Sequence, residues 1–360
     1  MIKIIGAGPA GLSAALVLLK SGHEVEVFEK RHYPCVKLCG EFMSHEGLQA
    51  LARVTGISVS NLVGELKANE LTRFSWFSRR GNQLSLSLFP SGMGVRRDVL
   101  DPWMAQAVIN AGGKIYFGTR VNEEEFAADK SRVVLWATGK EIPKNKTKYF
   151  AVKGYCASSF HFSDDVALFQ LQGGYIGFSR LADGELSYCA LFDRELVDSH
   201  WRYSNWEQLC EGAFQTNLRL RRQCDLMTSV MPSHVGSALF DFTSRAPVRN
   251  GRWYVGDAVQ LIPPFVGDGM SMAIESGELA AQAVVQGLSS SQYTSAWTSA
   301  FKSRLRTAQL VHPLLWNDRF HEPILTVLKK APWLSSWIYQ FTRGAAKPRD
   351  GGPNAFQKVS

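Results

Sequence analysis

The chain has 360 residues, 45% hydrophobic and 11% aromatic, enough for a large core in two joined sub-domains and too apolar for a disordered protein. Its formal charge is +8, yet Lys and Arg are scattered, with no run of like charge and no RNA-binding or helix-turn-helix signature. This argues against nucleic acid and for a surface that attracts anionic small molecules or membrane headgroups. No stretch approaches the roughly twenty apolar residues of a spanning helix. The six cysteines (35, 39, 156, 189, 210, 224) show no zinc spacing, so no metal site is expected and reduced thiols in a cytoplasmic protein are.

Residues 2–5 read as a buried strand running straight into glycines, so no signal peptide is expected before the fold. A helix from about Ala10 to Ser21 ends at Gly22, and residues 24–28 form a second, parallel strand. Gly6-Ala7-Gly8-Pro9-Ala10-Gly11 between them is a GxGxxG loop in its proper context, with Glu29 at the end of the second strand. Gly6 permits the tight turn, Gly8 lets backbone approach a pyrophosphate, and Gly11 lets the helix pack on the strand. The helix start offers free N–H groups to phosphates, and Glu29 can accept from ribose hydroxyls.

Further on, Ser44 to Ala52 and residues 99–111 read as helices, Lys114–Gly118 and Val133–Gly139 as strands. From about 150 to 245 the pattern changes to an antiparallel sheet, with segments Val166–Leu171, Tyr175–Phe178 and Leu186–Phe192 and a turn at Asp183-Gly184. Its alternate aromatics (Phe160, Phe162, Phe169, Tyr175, Tyr188, Phe192) suit core packing, and some suit an apolar wall opposite a cofactor. Trp253–Asp257 is again a short strand, followed by a Pro-Pro turn and a helix over about 269–287. The strand ends at Gly256-Asp257, where Asp257 can bond a sugar-chain hydroxyl; Gly267, Asp268, Gly269 and Met270 at the helix start can present N–H groups to a flavin pyrimidine edge, and Gly256 and Pro264 are counted among the same contacts. The last sixty residues read as helical with a frayed tail from Lys347. The apolar segment His321 to Thr342 can pack on the core, cover a pocket mouth or rest on a membrane interface.

Together the two glycine segments resemble the flavoprotein group of para-hydroxybenzoate-hydroxylase-like monooxygenases, flavin halogenases and geranylgeranyl reductases, over most of the chain. Lys37-Leu-Cys-Gly-Glu41 looks like the K-x-C-G turn of the reductase branch, and Gly94-Val-Arg-Arg-Asp-Val-Leu-Asp101 like the segment whose Arg, here Arg97 with Arg96 beside it, approaches the FAD phosphates. Ala137-Thr-Gly139 matches a strand end that faces the dinucleotide, and the resemblance adds Lys30, Lys37, Cys39, Gly40 and Val121 to the FAD contacts. Gly173-Gly-Tyr-Ile-Gly177 and Phe341-Thr-Arg-Gly344 resemble bacterial FAD oxidoreductases that accompany polyketide synthases.

The departures count too. The halogenase W-x-W-x-I-P motif is absent, and Lys67 reads as a solvated helix-end lysine rather than a halogenase-type one. No second GxGxxG supports a separate nicotinamide domain, and none of the eight histidines stands out as a base. Cys39 is the weak catalytic candidate: it either packs the turn or lines the flavin face and donates a proton.

The expected fold is α/β. A Rossmann-type (GR2-like) FAD-binding domain takes residues 1–75, 95–150 and 245–290, and a substrate-binding β-sheet domain takes 76–94 and 151–244. A helical segment over 291–345 and a flexible tail over 346–360 follow. The expected function is an FAD-dependent monooxygenase, with NAD(P)H as transient reductant and a small lipophilic or aromatic, polyketide-type substrate. The alternatives are a reductase of a prenyl-type C=C bond and a non-catalytic flavin-binding sensor. The expected location is cytoplasmic or peripheral to a membrane.

Overall fold

The structure is a computed structural model and describes residues 1–122, 133–141, 148–156, 164–200, 202–203, 205–222, 236–331 and 333–334. Its first sheet is built on β1 (Ile2–Ile5), whose apolar run is buried as a parallel strand buried on both faces should be. β1 enters α1 (Pro9–Lys20), and the chain returns in parallel as β2 (Val25–Phe28). After β6 (Lys114–Tyr116), β7 (Val134–Trp136), β13 (Val248–Arg249) and β14 (Arg252–Tyr254), the six strands run in the order β13-β14-β7-β1-β2-β6, parallel except for the β13–β14 hairpin. This is the doubly wound sheet expected, with β1 central.

The second sheet has eight strands in the order β12-β8-β11-β10-β9-β4-β5-β3. In chain order these are β3 (Phe42–Met43), β4 (Asn69–Phe77), β5 (Gln83–Gly94), β8 (Tyr149–Cys156), β9 (Val166–Leu171), β10 (Gly174–Arg180), β11 (Leu186–Asp193) and β12 (Gly236–Phe240). Neighbours are antiparallel except β4 and β9. β4 enters this sheet at Asn69 and β3 joins at Phe42, so its residues start well before position 76. Asp183-Gly184 lies in a short 3-10 turn between β10 and β11, where Gly184 takes φ +76°.

Register explains how this sheet divides its faces. Lys153, Cys189, Gly177, Leu168, Trp76 and Leu84 are successive cross-strand partners and so share one face. Phe77, Phe169, Ile176, Ala190 and Val152 form the matching row on the other. That second row is buried with Tyr188 and Phe192 under α5 (Arg194–His200), α6 (Trp206–Gln215) and α7 (Leu218–Arg221). Of the aromatic residues considered for a cofactor-facing wall, Phe169, Tyr188 and Phe192 therefore pack a core, Tyr175 faces the cavity, and Phe160 and Phe162 lie outside the described residues.

Three helices fix the sheets' edges. α4 (Arg97–Asn110) and α8 (Gly269–Val285) flank α1. At Gly277 of α8 a Cβ would stand 2.0 Å from the Ala10 carbonyl, so the two helices can meet that closely only through glycine. α9 (Ser290–Val311) opens with a capping box between Ser289 and Gln292, and α10 (Asp318–Lys330) closes the described chain. The Phe341 to Gly344 match and the tail fall outside the described residues.

Candidate functional site

The facing sheets enclose a cavity of about 1210 Å³, larger than the roughly 300–1,000 Å³ of a single small-molecule pocket. Its first wall is the β1–α1 loop, with Gly6, Gly8, Pro9 and Ala10 on the surface. Gly8 is the N-cap of α1 and no side chain caps it; Pro9 carries no N–H, so the helix start has the Ala10 and Gly11 N–H groups without a side-chain cap, and Ala10 lies on the cavity wall. Gly6 takes φ +108°, and a Cβ there would lie 2.2 Å from the Ala137 carbonyl. Gly11 is off the cavity wall; its Cβ would meet the Gly6 carbonyl at 2.0 Å, so its work is packing. Glu29 is 4% exposed, and its carboxylate accepts from the N–H groups of Ala7 (2.9 Å) and Arg31 (3.0 Å), which ties the loop to the end of β2.

Lys30, Lys37 and Val121 also line this end, with Ala137 and Gly139 after β7. Lys37 approaches Glu29 at 4.0 Å, and burial first, then the Arg120 charge, lowers the pKa of the Lys30 amine below its ordinary value. Arg97 forms a forked pair with Asp101, 2.7 and 2.8 Å, at the start of α4. Burial opposes its charge, but the Asp101 carboxylate outweighs that and holds the guanidinium ionised. A Cβ on Gly8 would meet nothing nearer than the Arg97 Nη2 at 4.0 Å, so cation and open helix start face the same space. Arg96 turns away to Asp98 and Glu185.

Opposite stands the start of α8. Pro264, Gly267, Gly269 and Met270 line the cavity, and Gly267 adopts a left-handed turn at φ +69°. Asp257 sits on the cavity wall in a 3-10 turn just past β14 and forms no hydrogen bond among the described residues; burial pushes its carboxyl up to about 6, with Arg97 and Lys140 pulling the other way. Gly256 and Asp268 do not reach the cavity. Gly256 donates its N–H to Ser276 (2.9 Å), while Asp268 is fully buried and pairs with Arg304 of α9 (3.2 Å) and Ser44 (3.2 Å). Its carboxylate anchors the helix start.

Cys39 and Gly40 lie on the wall between these halves. The Cys39 sulfur accepts the Glu41 N–H at 3.4 Å and neighbours Arg97. Glu41 is a residue that sequence reasoning missed. It is fully buried with φ +59°, its Oε1 lies 2.6 Å from the equally buried Lys153 Nζ, and it accepts from the Tyr155 hydroxyl (2.9 Å) and the Arg97 N–H (3.0 Å). One charged residue in the apolar stretch Tyr149–Cys156 was the available signal, because a buried ammonium demands a buried partner. The cavity has a second arm, where Phe74, Trp76, Leu84, Leu86, Leu168 and Phe240 meet Ile324, Val327, Leu328 and Leu334; the latter four belong to the segment considered above for a pocket mouth, whereas the six sheet residues had not been singled out. Of the charged side chains on the cavity wall, Lys140 reaches this arm, its Nζ 4.6 Å from the Phe240 ring centroid. Lys67 is exposed and off the wall.

The arrangement defines a flavoprotein-type fold: a Rossmann half with an uncapped helix start on the cavity wall, set against a mixed sheet. Residues 4–38 match the family described as an NAD(P)-binding Rossmann-like domain. The chain is similar to the flavin-dependent brominase Bmp2 (TM-score 0.76, 16% identity, 95% of this chain and 93% of that one). It is also similar to Klebsiella pneumoniae HpxO, whose structure holds FAD and uric acid (TM-score 0.70, 16% identity, 96% and 97%). Among curated proteins it is 23% identical to conditioned medium factor receptor 1 of Dictyostelium discoideum over 79% of this chain and 63% of that protein. It is 32% identical to the flavin-dependent halogenase armH2 of Armillaria mellea over 36% and 25%. The matched part thus spans less than two thirds of either curated relative.

Proposed function

We propose that the cavity holds FAD and that the chain is an FAD-dependent monooxygenase acting on a small uncharged lipophilic or aromatic molecule, with NAD(P)H as reductant. The observation that carries this reading is the single cavity, too large for one ligand, that joins a polar arm to an apolar one. The residues present fit the dinucleotide. The uncapped α1 start and Arg97 suit a pyrophosphate, the free Asp257 carboxyl suits the sugar chain, and the α8 start suits the pyrimidine edge. The flavin supplies electron transfer from NAD(P)H and oxygen activation. In balance, substrate, O₂, NAD(P)H and one proton give hydroxylated substrate, NAD(P)⁺ and water.

The chain's own residues place the reactants. The row from Cys189 through Gly177 and Leu168 to Trp76 lines the cavity and would offer substrate an apolar bed. Ile324, Val327 and Leu328 of α10 give the same space an apolar wall on its facing side. The names of the relatives, a brominase and a halogenase beside a FAD-binding protein, support flavin-dependent oxidation of a small molecule.

A second reading is favoured by Cys39, whose sulfur is on the wall beside Arg97: a C=C reductase would use that thiol as a proton donor. Two measurements separate them. The purified protein should release FAD, and substrate-stimulated NAD(P)H oxidation under ¹⁸O₂ should leave one labelled oxygen in the product. A saturated, unlabelled product would sink the monooxygenase. Cys39→Ser should keep its flavin and lose less than tenfold in turnover. A loss of about 10²-fold or more with flavin reduction intact would promote the reductase.

A further inference from the structure

α10 is apolar on two sides. His321, Leu325 and Leu328, four and three residues apart, are buried beneath the helix. One such stripe is all that a surface helix needs. Phe320, Pro323 and Val327 repeat the spacing on a second stripe that faces outward, with Phe320 46% and Val327 50% exposed. The flanking chain extends it: Leu310, one turn before Leu314 at the end of α9, is 76% exposed, and Trp333 is 69% exposed. Single exposed apolar residues are ordinary on a protein surface; a run of them within one helical corner marks a partner.

The stripe is continuous with the cavity. Leu314, Pro323 and Val327 are exposed on the outside and line the apolar arm on the inside. The mouth of that arm therefore opens through the patch. The described cations on its rim outnumber the carboxylates. Arg306, one turn before Leu310, is exposed, as are Arg319, Lys329 and Lys330. Among the described side chains of residues 301–334 the one carboxylate is Glu322, and it accepts from the Asn82 side-chain amide instead of facing these cations. No described helix is long and apolar enough to cross a membrane.

We infer that this face docks on the surface of an anionic lipid bilayer. The α10 stripe and Trp333 enter the acyl boundary, and Arg306, Arg319, Lys329 and Lys330 meet the headgroup phosphates. The helix lies on the surface and does not span it. A protein seated on Pro323 and Val327 would close the mouth they frame. A fluid lipid face covers the stripe and leaves the cavity open to a lipophilic phase. Given the proposed function, on which this step alone rests, an apolar substrate then passes from lipid to cavity without crossing water.

The test uses the full chain with its flavin and two kinds of vesicle, phosphatidylcholine alone and phosphatidylcholine containing phosphatidylglycerol, in a sedimentation assay. Wild type should sediment with the anionic vesicles, less with the neutral ones, and less again in high salt. The Lys329→Gln/Lys330→Gln double variant should partition roughly 30-fold more weakly, at about fivefold per lost cation near an anionic surface. Phe320→Ser/Trp333→Ser should lose at least as much through the apolar contact alone. All four side chains are exposed, and flavin content and melting temperature read on the same samples show that the fold is kept. The inference is overturned if wild type ignores both vesicles, or if both double variants sediment like wild type. Self-association of the chain, or capture of an acidic protein, lost on these substitutions without vesicle binding would also overturn it in favour of a protein partner. Sedimentation requires no turnover, so its outcome is independent of the oxygen-label experiment.

Discussion

At the scale of single residues, the three glycines of the first loop do different work and should fail differently. Gly6 and Gly11 are held by contacts within the protein, where a Cβ would stand 2.2 and 2.0 Å from backbone carbonyls. Gly8 is open, at φ −75°, with only Arg97 within 4.0 Å. Gly8→Val should therefore fold with a nearly unchanged melting temperature and purify almost colourless, whereas Gly11→Val should lose several kcal/mol of stability. A Gly8→Val protein with full flavin content would show that the pyrophosphate lies elsewhere. Asp257 gives a pH signature in the flavin-free protein. Its folded pKa of about 6 lies above the ordinary 3.8, so folding binds its proton more tightly. The stability it contributes is complete below about pH 4 and is lost as pH rises through 6. Asp257→Asn should reduce the fall in unfolding free energy between those pH values by on the order of 1–2 kcal/mol, allowing for the carboxyl's exposure to the cavity, as chemical unfolding at each pH reads it. Identical slopes would mean that the carboxyl is solvated as in an unfolded chain.

At the scale of elements, the start of α8 depends on α9. Arg304 is 5% exposed and spans Asp268 (3.2 Å) and Glu275 (2.9 Å), so the N-cap residue that places Gly267 to Met270 is neutralised from the next helix. Arg304→Leu leaves a buried carboxylate without its cation and should cost about 3–5 kcal/mol, with flavin retention falling alongside. Adding Asp268→Asn should restore most of that stability, and chemical unfolding of the single and double variants checks it. Equal loss in both would mean that Arg304 acts through packing against Phe301 alone. None of this coupling was legible in the sequence. The β1–α1–β2 unit was, because strand, turn, cap and acid lie within thirty residues and each glycine has a local reason. The second sheet was legible only as alternating segments. Its order rests on pairings such as Phe77 with Phe169, and the buried Glu41–Lys153 pair joins residues 112 apart, contacts that local propensity does not encode. The alternate aromatics divide as that reading allowed, with Phe169, Tyr188 and Phe192 in a core and Tyr175 on the cavity. Period two tells which residues share a face, but not which face meets a cofactor.

For the molecule as a whole, the proposed function requires one cavity to serve two ligands. Gly177 lies in the middle of the β-sheet floor, where the Cys189 end of the row gives way to Leu168 and Trp76. A Cβ there would meet Leu168, Cys189 and Ala167 only at 3.8 to 4.0 Å, so the backbone and its neighbours admit a side chain, which would project into the cavity. The polar arm, with Gly8, Arg97 and Asp257, is carried on the first sheet and the helices that follow it. Gly177→Leu should accordingly keep its fold and its flavin. It should lose substrate-stimulated oxygen uptake by at least tenfold, because about four carbon atoms then occupy the bed where the substrate lies. Basal NAD(P)H oxidation should persist, uncoupled from product. Flavin content and product yield, measured on one preparation, decide the matter. Loss of flavin in Gly177→Leu would place the ring itself over the second sheet and shrink the space left for a substrate, while full activity in the variant would show that the apolar arm is not where the reaction happens.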